Sequence, residues 1–124
     1  MHSRVGRTRP AFWNWCARAE ALEIETILVA TTSGATAVQA GEALSGYRVI
    51  AVTHSAGFRG PNTQDLEPEQ RAAAEALGVE LLTCQHAFGG VNRAIRRKFD
   101  TYQVDEIIAN VFRLFGQGMK VVAE

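Results

Sequence analysis

Between Thr31 and Thr36 the chain reads TTSGAT, four hydroxyl side chains and one glycine in six residues. Thr31, Thr32, Ser33 and Thr36 supply donors, and Gly34 lets backbone come close to a ligand. Ala35 opens a helix whose unpaired N–H groups and positive dipole end aim at the same spot. Together with the backbone N–H groups of Gly34 to Thr36, these donors suit a phosphate or another anion. No catalytic group sits in the segment, so binding is expected rather than reaction. The alternative is ordinary capping, with Ser33 as N-cap and Gly34 for tightness. Capping needs only one hydroxyl, and four are present.

Other reactive types fall after later apolar segments. His54 and Ser55 follow YRVIAVT, and His54 can touch a ligand ring or phosphate or bond to its own loop. Phe58 can cover a flat ring by stacking, or plug the core beneath the loop. Cys84 and His86 suggest a thiolate nucleophile, but their spacing on an extended segment sends them to opposite faces. No third orienting group accompanies them, so no catalytic residue is assigned. His86 fits better as a polar ligand contact. Gly89 and Gly90 open another helix start. Arg93, Arg96 and Arg97 share one face of that helix, with Arg93 nearest its beginning and best placed to reach a phosphate. A solvated basic face is the plainer reading. Gln117, Gly118 and Lys120 either line a site or simply follow a helix end. His2, His54 and His86 show no metal-ligand spacing, and no metal is expected.

The elements that must carry these residues follow from periodicity. Phe12, Trp15, Cys16, Ala19 and Leu22 recur at helical spacing over 11–22. Thr26 to Thr31 is a strand whose Ile27–Ala30 part is a continuous apolar run, as expected where both faces of a parallel sheet are covered. A helix is expected over 35–44, with Val38, Gly41 and Leu44 inward and Gly46 as left-handed stop. Strands over 47–53 and 79–83 flank a polar loop (54–65) and a helix (67–77) that has Pro68 in its first turn. Helices are expected from Gly89 to Phe99, with Val91, Ala94 and Ile95 on one face, and from Val104. The second carries Val104, Ile107, Ile108, Val111, Phe112 and Phe115 on one stripe, and Gly116 and Gly118 end or bend it. Short links between strands and helices imply right-handed crossovers and a parallel sheet in a three-layer α/β/α fold. Thr31, Thr53 and Thr83 each end a strand. The loops after them should share the carboxyl edge, where open α/β sheets bind ligands.

The 124 residues fit one domain over 11–124, preceded by a basic, disordered arm over 1–10 that holds Arg4, Arg7 and Arg9. That arm lacks the apolar stretch of a secretory signal. Formal net charge is zero, so bulk electrostatics argues for neither nucleic acid nor membrane. No apolar run approaches the ~20 residues of a membrane span. Two cysteines fit neither a disulfide framework nor a metal site, and cytoplasmic residence is expected.

The segments ATTSGATA (30–37), VIAVTHSAGF (49–58), CQHAFGGVNRAIRRKF (84–99) and FGQGMKVVAE (115–124) resemble the stand-alone proteins similar to the pyruvate kinase C-terminal domain. The resemblance covers 18–124. In pyruvate kinase the similar loop holds a phosphate of a sugar-bisphosphate effector and carries out no chemistry, and some stand-alone relatives are seen with flavin mononucleotide. The resemblance therefore implies a ligand-binding or regulatory domain, without the kinase barrel. On it, flavin mononucleotide or a sugar phosphate is the expected ligand of Thr31, Thr32, Ser33, Gly34, Ala35, Thr36, Thr53, His54, Phe58, His86 and Arg93. Alternatives are a flavin-dependent enzyme, an assembly module and a fragment without activity of its own. Family members usually continue into two more strands beyond the helix matching 104–118, on the far side of the first strand. The chain stops at Glu124, as though truncated, and the first strand is then an exposed edge that favours pairing between copies.

Overall fold

A computed structural model describes residues 8–124. In order these form α1 (Thr8–Ala21), β1 (Thr26–Ala30), α2 (Ala35–Ala43), β2 (Arg48–Thr53), α3 (Pro68–Ala76), β3 (Glu80–Thr83), α4 (Val91–Phe99), α5 (Val104–Leu114) and α6 (Gln117–Ala123). The class is α/β, as the sequence implies, and the three strands form one parallel sheet in the order β1-β2-β3. The chain divides into two compact units, the first ending at Thr83 and the second spanning Cys84–Glu124. The first seven residues of the expected basic arm lie outside the described residues, and α1 begins at Thr8 rather than at Ala11.

The first unit is built on the sheet register. Val29 pairs Ala51 and Ala51 pairs Leu81, while Leu28 pairs Ile50 and Val52 pairs Leu82. Side chains alternate across a strand, so Val29, Val49, Ala51 and Leu81 share one face, and Leu28, Ile50, Val52 and Leu82 the other. The first face is the core. Val29, Val49 and Ala51 pack there with Ala37, Ala40 and Leu44 from α2, Ala74 from α3, and Val79. Full burial of Leu44 alone is worth about 1.5–3 kcal/mol. Alanines on α2 and Gly41 let the helix ride close to the sheet. A Cβ at Gly41 would meet Val79 Cγ2 at 2.8 Å and Leu77 Cβ at 2.9 Å. Val38, expected inward, is only half-buried, and Ala37 and Ala40 take the deepest places.

Several expectations on burial are corrected. The apolar run of β1 is not covered on both faces, since Leu28 is 67% exposed while Val29 is buried. In α1, Ala19 is buried and Cys16 half-buried, but Trp15 is exposed, as is Leu22 just past the helix end. The Tyr47 hydroxyl donates to Cys16 O at 3.2 Å, anchoring that helix to the start of β2.

The second unit is three short helices. Val91 and Ala94 of α4 are exposed and Ile95 is half-buried, so the expected inward face of this helix is mostly open. The stripe on α5 exists, but Val104, Ile107, Ile108, Val111 and Phe115 are exposed, and only Phe112 is half-buried. Ala109 and Glu106 are the buried positions of α5. The physical reason is size. With α5 paired chiefly to a seven-residue α6, too little apolar surface is available within this unit to cover a six-position stripe. Helix α6 replaces the expected helix end, and Gly116 at φ 119° makes the corner between α5 and α6.

Candidate functional site

The corner after β1 is fixed by four backbone and side-chain bonds. Thr31 N–H donates to Val52 O at 2.9 Å, which carries the β1–β2 register one residue past the strand. The Gly34 N–H donates to Thr31 Oγ1 at 3.1 Å. Glu67 N–H donates to Ser33 O at 3.0 Å, and Val38 N–H to Gly34 O at 3.1 Å. Gly34 is therefore the N-cap of α2, at φ 105°, in place of Ser33. Only glycine adopts that angle without cost, and only glycine fits there. A Cβ would stand 2.6 Å from Gln70 Cβ and 2.9 Å from Leu66 Cδ1.

The hydroxyls divide into two groups. Thr31 is buried and its oxygen accepts from Gly34, so the Gly34 N–H expected for a ligand is already engaged. Thr53 is 0% exposed, and its Oγ1 lies 2.7 Å from Thr83 Oγ1 and 3.1 Å from His54 O. These strand-ending threonines fall on one row and brace the carboxyl edge. Thr32, Ala35 and Thr36 are exposed and Ser33 is half-buried, so three hydroxyls remain on the accessible side of the corner.

The loop after β2 comes back onto this corner. Its tip is closed by Gly57 N–H to Thr63 O at 2.8 Å and by Thr63 Oγ1 to Gly60 O at 2.7 Å. At its base, His54 Nδ1 lies 2.8 Å from Asp65 Oδ2, and Arg59 Nε lies 3.1 Å from Asp65 Oδ1. The Asp65 side chain is largely buried, with 12% exposed. Gln64 Nε2 donates to His54 O at 3.2 Å. The Phe58 ring sits 4.3 Å from the imidazole, tilted by 36°. Sequence reasoning did not single out Asp65, Arg59 or Gln64. Asp65 is eleven residues from His54, and no helical or strand period links that spacing. Its only signal was a carboxylate placed just ahead of the Pro68 helix start.

His86 and Arg93 belong to the second unit. His86 Nδ1 lies 3.8 Å from Glu124 Oε2, and Glu124 also pairs with the buried Lys120. Arg93 is half-buried in the first turns of α4, with Nη2 3.7 Å from where a Gly89 Cβ would stand. Arg96 is committed elsewhere, to Glu106 Oε1 at 3.1 Å and to the Tyr102 hydroxyl and ring. The Glu106 hydrogen bond raises the Arg96 pKa above its usual value. Cys84 is exposed. Among the described residues no three His, Cys, Asp or Glu side chains gather in a group able to hold a metal ion.

A parallel sheet with a glycine-turned, hydroxyl-rich corner after its first strand agrees with what the sequence segments resemble. The family described as pyruvate kinase, alpha/beta domain matches residues 13–122. The chain belongs to this family. Nearly all of both units falls inside the match, including the Thr31–Thr36 corner, the 54–65 loop and α4 to α6. No helix among the described residues is long and apolar enough to cross a membrane.

Proposed function

We propose that the protein binds a phosphorylated small molecule at the carboxyl edge of its sheet, in a regulatory or ligand-carrying role rather than a catalytic one. The observation that carries this reading is the corner at Gly34. A left-handed glycine starts α2 while Thr32, Ser33 and Thr36 keep their hydroxyls on the accessible side. Hydroxyls and helix N-terminal amides together hold phosphoryl oxygens. His54 and Phe58 lie on the loop after the neighbouring strand β2, with their rings 4.3 Å apart, and are the candidates to meet the rest of the ligand, a flavin ring or a sugar. His86 and Arg93, in the second unit, are not part of this corner. Flavin mononucleotide and a sugar phosphate are both compatible with this chemistry, and cytoplasmic residence belongs to the same proposal. Ser33→Asp puts a carboxylate where the phosphate is to sit, and loss of flavin mononucleotide or phosphate binding is expected in calorimetric titration. Unchanged affinity would remove the corner from consideration.

A second reading is self-assembly, supported by the place of β1 at the edge of the sheet and by the exposure of Leu28. Edge strands offer unpaired backbone groups to another chain. Native mass spectrometry of gently purified protein reports bound ligand mass and subunit number in one measurement.

A further inference from the structure

We propose that α5 is a self-association surface, on which a second copy of the chain lays its own α5 antiparallel, Val104 against Leu114 and Ile107 against Val111. This surface lies in the second unit, whereas the β1 edge and the Thr31–Thr36 corner lie in the first. It therefore goes beyond both readings above and stands or falls without them.

The inward face of α5 is set by its acidic and small residues. Ala109 is buried, Glu106 Oε1 accepts from Arg96 Nη1 at 3.1 Å, and Phe112 stacks on Phe88 with ring centroids 5.8 Å apart. At about 3.6 residues per turn, a helix held by these positions sends Val104, Ile107, Ile108, Val111, Leu114 and Phe115 outward. Each of the six is exposed by 41% to 84%. Together they show on the order of 600 Å² of surface per copy, the upper range for a monomer's largest apolar patch. Each partner of a stable complex contributes ~800 Å², so this stripe supplies most of what a dimer needs.

Spacing and charge select the occupant. Val104, Ile107, Val111 and Leu114 are separated by three, four and three residues, the alternation with which two helices interlock knobs into holes. The steps are the same read in either direction. Two antiparallel copies therefore mesh all four positions at once, and a two-fold contact closes at the dimer. No charged residue stands in the stripe, so the two-fold sets no like charges face to face. Antiparallel helices also bring the acidic first turn, Asp105 and Glu106, toward the Arg113 end of the other copy, which suits both helix dipoles. A lipid surface fits poorly. Interfacial helices carry Lys and Arg along their polar face, whereas α5 turns Asp105 and Glu106 inward and borders its stripe with Asn110.

Sedimentation equilibrium of the full chain should give twice the monomer mass. Ile107→Lys and Val111→Glu should each give the monomer mass, because each sets an unpaired charge in the contact. Mixing the two variants should restore the dimer, since the register places the introduced lysine of one copy against the introduced glutamate of the other. No rescue on mixing overturns the proposal, because parallel pairing sets each introduced charge against the unsubstituted residue. Leu28→Lys, on the β1 edge, should leave this contact in place. A dimer that persists in Ile107→Lys, a wild-type chain that stays monomeric at millimolar loading, or a monomer that binds anionic vesicles instead overturns the proposal. Folding is checked separately, with both proteins diluted to monomer so that association adds no stability. There Ile107→Lys should keep the wild-type denaturant midpoint. A lower midpoint means that the chain's own surface covers the stripe, and it overturns the proposal too.

Discussion

At Gly34 one missing methyl group decides whether the corner after β1 can exist. Its φ of 105° is left-handed, and the space a Cβ needs is filled by Gln70 and Leu66. Gly34→Ala adds the left-handed penalty to a clash and is expected to destabilise by roughly 2–4 kcal/mol, read as a fall in denaturant midpoint. The threonines separate by the same reasoning. Thr31→Val removes the oxygen that accepts the Gly34 N–H and should cost about 1 kcal/mol of stability. Thr36→Val changes an exposed hydroxyl, so it should leave the thermal midpoint nearly unchanged and weaken phosphate binding. If Thr36→Val lowers the midpoint as much as Thr31→Val, the division between bracing and accessible hydroxyls is wrong. The glycine and the hydroxyls were legible in the sequence because their types are unusual in so short a run. Their separate tasks were not, since Thr31 and Thr32 differ only in which way each faces, and the sheet register decides that.

Among the elements, β2 and β3 are tied at their amino ends by a two-bond contact from Arg48 to Glu80, at 2.6 and 2.9 Å. Hydrogen bonding to Arg48 is the main cause that lowers the Glu80 pKa. A lowered carboxylate pKa stabilises the fold above the unfolded value and stops doing so as pH falls through the folded one. Glu80→Gln should therefore lower the thermal midpoint slightly near neutral pH, the pair being exposed. The difference from wild type should close below about pH 4. On α2, helix propensity and packing oppose each other at Gly41. Alanine gains about 1 kcal/mol as a helix former, but its Cβ would meet Val79 and Leu77 inside 3 Å. The clash should win, and Gly41→Ala should melt lower than wild type. Strand and helix positions were legible from period and from Pro68, Gly46 and Gly78, with most boundaries moved by a residue or two and the start of α1 by three. Helix α6 was missed because Gly116 and Gly118 read as a stop. In the structure Gly116 is the turn that starts another helix, and Gly118 is inside it.

Over the whole molecule, periodicity predicted which positions are apolar but not which are covered. The α5 stripe is regular in sequence, yet Val104 is 72% and Phe115 76% exposed, and Leu28 stands out on the open face of the sheet edge. A stripe says that a surface wants a partner, and it does not say whether the same chain supplies one. Exposed apolar surface gathered on single elements is the usual mark of association, and β1 adds backbone groups at the edge of its sheet. If copies pair through that edge, sedimentation velocity should show a concentration-dependent dimer. Leu28→Lys should shift it to monomer, since a charge on an edge strand opposes pairing. Ser33→Asp, at the ligand corner, should leave the dimer intact. Dimerisation that survives Leu28→Lys would move the contact away from β1. Loss of the dimer in Ser33→Asp would instead couple the proposed ligand corner to assembly, because that corner is the continuation of the same strand.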